Sequence, residues 1–132
     1  MVNIVKKKTF ISFDYDHDLE LKGSLVGQSN REDSPFEITD MSITEAIDSN
    51  WKQFARDRIK KCDVVVVICG EYTNTAKGVA AEVTIAQEEN KYYFLLQGRN
   101  SKTCTKPASA KSGDKIYPWT WDNLKSLLAG NR

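Results

Sequence analysis

Two stretches of this chain carry residues that could do chemistry. The first centres on Glu82, which follows the run Asp63-Val64-Val65-Val66-Val67-Ile68-Cys69, a stop at Gly70 and the polar stretch Glu71 to Gly78. From Val79 the pattern becomes helical: Val79, Val83 and Ala86 fall at i, i+4 and i+7, with Glu82 beside that stripe in what reads as the first turn. The helix dipole favours the ionised form of such a carboxylate, so it suits an anionic role better than that of a proton donor. The plain alternative is a solvated acid at a helix start, a common feature of first turns. The second stretch is the acidic loop Asp14-Tyr15-Asp16-His17-Asp18. His17 is the only histidine. It has no partner at metal-ligand spacing and reads as an exposed loop residue without a role.

The elements that position these stretches can be read from periodicity. An apolar run without alternation, rich in β-branched residues, is the mark of a strand covered on both faces of a parallel sheet, so Asp63 to Cys69 is the expected central strand. Lys8 to Phe13 reads as a first strand, and a helix follows with Leu21, Leu25 and Val26 inward through about Gln28, capped by Asp16 or Asp18. Phe36-Glu37-Ile38 reads as a short edge strand after a turn-rich connection. Ser42-Ile43-Thr44-Glu45 has the spacing of a capping box ahead of a helix over Ala46 to Lys61, where Trp51, Phe54, Ala55, Arg58, Ile59 and Cys62 form the stripe and the aromatics read as core.

Tyr92 to Leu96 is the expected fourth strand and Ile116-Tyr117 a short fifth. A last helix is capped by Thr120, carries Trp121, Leu124, Leu127 and Leu128 inward, and stops at Gly130. Between them Arg99 to Lys115 is polar and aperiodic, and is expected to be mobile or ordered by a partner. Alternating strands and helices imply an α/β, flavodoxin-like three-layer fold with a mainly parallel five-stranded sheet ordered 2-1-3-4-5. In that order the acidic loop and the loop before Glu82 leave the two strands that flank the switch point, the usual ligand crevice of open parallel sheets.

Composition narrows the class. The 132 residues read as one domain, and 19 basic against 18 acidic side chains leave a net charge of +1, so nothing global draws the chain to nucleic acid or a membrane. Three cysteines without CxxC spacing fit neither a disulfide framework nor a zinc site, and a reducing cytoplasm is expected. No apolar run long enough to span a membrane and no secretory pattern is evident.

Four segments together resemble the bacterial TIR-like domains, closest in pattern to the TIR-like subunit of Thoeris anti-phage defence systems. They are Lys8 to Asp16, Trp51 with Ile59 and Cys62 to Gly70, Thr73 with Gly78-Val79-Ala80-Ala81-Glu82-Val83, and Tyr117-Pro118-Trp119-Thr120-Trp121. The resemblance implies an NAD-consuming enzyme, of NAD glycohydrolase or ADP-ribosyl cyclase type. Its product would be a cyclic ADP-ribose isomer or a related ADP-ribose signal that activates a partner effector, with a phage protein as trigger and self-association both left open. It also implies that Glu82 is the catalytic glutamate of a Trp-Val-x-x-Glu type motif, here with Gly78 in place of the tryptophan that many relatives carry. Phe13, Asp14, Tyr15, Asp16, Cys69, Gly70, Tyr72 and Thr73 would shape the pocket. With no P-loop and no GxGxxG, NAD would be a substrate rather than a bound cofactor, and no metal is expected. The other reading is a non-catalytic TIR-like or receiver-like module that acts by assembly; against a receiver, strand 3 ends in Cys69-Gly70 with no aspartate to take a phosphate.

Overall fold

A computed structural model describes residues 6–42 and 50–131. Five strands, β1 (Lys7–Ser12), β2 (Phe36–Met41), β3 (Val64–Cys69), β4 (Tyr92–Gln97) and β5 (Ile116–Pro118), form one sheet in the order β2-β1-β3-β4-β5. Every neighbouring pair is parallel. Helices α1 (Leu19–Ser29), α2 (Trp51–Lys60), α3 (Lys77–Glu88) and α4 (Trp121–Leu128) alternate with the strands. This is the flavodoxin-like order expected from the alternation of elements.

The central strand explains the layering. All six residues of β3 are buried, and because successive side chains leave a strand on opposite faces they divide between two cores. Val65, Val67 and Cys69 pack with Ala55 and Ile59 of α2 and Val79, Val83 and Ala86 of α3. Val64, Val66 and Ile68 pack on the other face with Leu25 of α1 and Leu124, Leu127 and Leu128 of α4.

Several local expectations need correction. Strand β2 is twice the length read from Phe36-Glu37-Ile38, since it continues through Met41 alongside β1. Phe54 lies at stripe spacing on α2 yet is 49% exposed, whereas Ala55 and Ile59 are buried. The contact face of α2 is narrower than its apolar stripe. Residues 43–49 lie outside the described residues, and with them most of the expected capping box and the expected helix start at Ala46. Two helix ends close in one way. At α4 the amides of Gly130 and Asn131 donate to Leu127 and Ser126, and at α3 those of Asn90 and Lys91 donate to Gln87 and Ala86. In each the residue past the cap, Gly130 (φ 95) or Asn90 (φ 55), takes the left-handed conformation that the motif requires.

The segment from Arg99 to Lys115 has no helix or strand, as its composition implies. It makes polar contacts to the rest of the fold: Thr105 N–H donates to Gly70 O at 2.9 Å and Ser109 Oγ to Ala80 O at 2.6 Å.

Candidate functional site

Three elements converge on Glu82. Ser12 ends β1, Ser42 follows β2, and Glu82 lies on the buried face of α3. Both serine hydroxyls donate to the same carboxylate oxygen, Oε1; the Ser12 bond is 2.7 Å long. Ser42 is itself fixed, its Oγ accepting from Phe13 N–H at 3.0 Å and its N–H donating to Ile11 O at 2.7 Å. The other oxygen, Oε2, takes no hydrogen bond among the described residues.

This geometry corrects the expected setting of Glu82. Helix α3 begins at Lys77, so Glu82 is in its second turn, and the residue is 3% exposed. Gly78 lies inside the first turn of α3, where a Cβ would meet nothing within 4 Å. Burial, not the dipole, then dominates the electrostatics. Desolvation pushes the carboxyl from 4.5 up to about 7, against the Ser42 and Ser12 hydrogen bonds, which favour the anion, and with the charge of Asp40 adding to the rise. Near neutral pH the site holds both forms of the carboxyl.

Glu82 lines a cavity of about 460 Å³ bounded on one side by the loop after β1 and on the other by the first turn of α3. Phe13, Asp14, Tyr15 and Asp16 line it, as the sequence suggested. Cys69, Gly70, Tyr72 and Thr73 do not. Cys69 is sealed in the core, where burial pushes its thiol far up. The hydroxyl of buried Thr73 accepts from Gly70 N–H at 2.7 Å and so shapes the turn after β3. Tyr72 is exposed and reaches the site indirectly, its ring 4.5 Å from that of His17.

Sequence reasoning missed several residues here. His17 lines the cavity, with Nδ1 2.6 Å from Asp14 Oδ2. Lys77 adds a cation at its rim. Beside the cavity, Asp18 precedes α1 without a side-chain capping bond; it is 1% exposed and its Oδ1 accepts from Arg99 Nη2 at 3.2 Å, while Oδ2 has no partner among the described residues. Burial raises its pKa against the pull of Arg99, which also binds Glu20. A Cβ on Gly70 would lie 2.4 Å from both Asp18 oxygens, so glycine is required there. Spacing gave a signal only for Asp14 and His17, three residues apart; Arg99 is 81 residues from Asp18. No group of three or more metal-ligating side chains occurs among the described residues.

A parallel sheet in this order, with a cavity at the switch point, is a flavodoxin-like arrangement consistent with a TIR-like domain. The family model for the TIR-like domain of Thoeris protein ThsB matches residues 10–103, and the chain belongs to that family. No curated protein matches it. No helix among the described residues is long and apolar enough to cross a membrane.

Proposed function

We propose that this domain cleaves the nicotinamide N-glycosidic bond of NAD and passes the ADP-ribosyl group on, giving a cyclic ADP-ribose isomer or a related signal for a partner effector. The observation that carries this reading is the placement of Glu82, a buried carboxylate that lines a cavity, with one oxygen held by two neutral hydroxyls and the other taking no hydrogen bond among the described residues. The cavity volume falls within the roughly 300–1,000 Å³ usual for small-ligand sites.

The chemistry needs little more. Nicotinamide leaves with the bonding electron pair as a neutral molecule, so no general acid is required, unlike cleavage of an O-glycoside. Positive charge develops on the ribose. An ionised Glu82 stabilises that charge, and its Oε2 is the acceptor for ribose hydroxyls; the two serines hold the carboxylate without neutralising it. The site is thereby preorganised for a cation.

The test is incubation with NAD, with and without phage infection of the expressing cells, followed by mass spectrometry of the nucleotide products. Loss of NAD with release of nicotinamide and a new ADP-ribose species is the expected result. Intact NAD in both arms would leave the domain to act by assembly alone.

A further inference from the structure

Across the cavity from the α3 turn stands a second constellation, which the proposed cleavage step does not use. Asp14 is 6% exposed and its Oδ2 lies 2.6 Å from His17 Nδ1. The loop that carries the pair is closed on itself: Asp14 O accepts from Asp18 N–H at 2.8 Å and from His17 N–H at 3.3 Å, and Asp14 Oδ1 accepts from Asp16 N–H at 3.1 Å. The Tyr72 ring lies against the imidazole at 4.5 Å and 34°. The ring is thus fixed by a carboxylate on one side and an aromatic face on the other.

A carboxylate oxygen can only accept, so the neutral imidazole holds its hydrogen on Nδ1 and its lone pair on Nε2. Nε2 has no hydrogen-bond partner among the described residues, and the side chain is 47% exposed where it lines the cavity that also contains Glu82. An imidazole oriented by a buried carboxylate, on the wall of the cavity that Glu82 also lines, is the arrangement of a general base.

We propose that His17, oriented by Asp14, is the base that activates the acceptor in the second half of the reaction, and that this acceptor is an O–H group, either water or a sugar hydroxyl. The inference rests on the NAD-cleaving reading. As the C1′–N bond of the nicotinamide ribose breaks and its electron pair leaves on nicotinamide, the acceptor oxygen bonds to C1′. The acceptor proton moves to His17 Nε2, giving an imidazolium paired with Asp14, and then passes to solvent. NAD and an alcohol become nicotinamide, an O-linked ADP-ribose and one proton. Glu82 supports the cation and His17 the nucleophile.

The division of labour separates two acceptors. A free pyridine that replaces nicotinamide attacks through a nitrogen lone pair and has no proton to lose, so base exchange needs Glu82 but not His17. In His17→Asn, formation of O-linked or hydrolysed ADP-ribose should fall on the order of a hundredfold, the usual worth of a general base. Exchange of labelled nicotinamide into NAD should stay near the parent rate, and so should the melting temperature. Asp14→Asn, which keeps the shape but loses the anion that fixes the tautomer, should shift the same partition toward exchange. Equal loss of both activities in both variants, or no change in either, would overturn the assignment. A parent protein that neither consumes NAD nor exchanges its base would instead sink the underlying reading, and this inference with it.

Discussion

Glu82 and Asp18 are both buried carboxyls whose pKa burial pushes up, yet the molecule treats them differently. Around Glu82 the donors among the described residues are the neutral hydroxyls of Ser12 and Ser42, and the residue lines the cavity. Around Asp18 the donor is the guanidinium of Arg99, and the unpartnered oxygen faces the backbone of Gly70. Hydroxyls support a charge without cancelling it, whereas a guanidinium cancels it. Burial alone therefore does not mark a reactive carboxylate. On the proposed reading the charge left over for a ligand does, and of these two carboxyls it is Glu82 that keeps it.

The comparison can be broken first at Asp18. Arg99→Met strands a buried carboxylate, a change that costs about 3 kcal/mol at the low end of such losses, fitting a guanidinium that is itself partly exposed. Losing Arg99 raises an already raised pKa further. The loss should then be greatest above neutral pH and shrink as pH falls toward the ordinary carboxylate range, where the unfolded chain also takes up the proton. Denaturant titrations at pH 8 and pH 5 would show this; an equal loss at both would mean that Asp18 does not depend on Arg99 for its charge. Next, Gly70→Ala should cost roughly 2 kcal/mol through its clash with the Asp18 carboxylate. Gly78→Ala meets nothing within 4 Å, so it should be neutral or raise stability by a few tenths up to about 1 kcal/mol. Thermal melts that rank these two variants in reverse would refute the packing described here.

At Glu82 the same logic predicts a shift rather than a loss of fold. Ser12→Ala or Ser42→Ala removes one donor to the anion, worth about 1.5 kcal/mol for a bond to a charged group. The carboxyl should rise further, moving the alkaline onset of NAD consumption upward by about one pH unit. A pH-rate profile that stays in place in both variants would remove the serines from the account.

Much of the fold was legible because its signals are local. The run from Val64 to Cys69 declared a strand buried on both faces, and Thr120 declared a helix start, its side chain accepting from Asn123 N–H as expected. Glu82 was singled out but set too early, because Gly78 reads as loop although it sits inside the first turn of α3. Ser42 reads as a helix cap by its spacing to Glu45, a pairing outside the described residues, and that spacing gives no sign that its hydroxyl donates to Glu82, 40 residues away. His17 looked idle because its usefulness lies in orientation, which composition does not record. What escaped the sequence was the set of side-chain partners brought together only when β1, β2 and α3 meet.

The most direct test of the account is Glu82→Gln, measured for NAD consumption and thermal stability at pH 8 and near pH 5. Between 4.5 and about 7 the carboxyl is protonated in the folded protein and ionised in the unfolded chain, so stability falls as pH rises through that window and the full penalty persists above it. A shift of that size corresponds to roughly 3 kcal/mol. The variant should consume NAD on the order of a hundredfold more slowly. It should also melt higher than the parent at pH 8, with the gain fading toward pH 5. A variant that gains this stability but still consumes NAD near the parent rate would contradict the central claim and leave Glu82 a buried acid without a catalytic part.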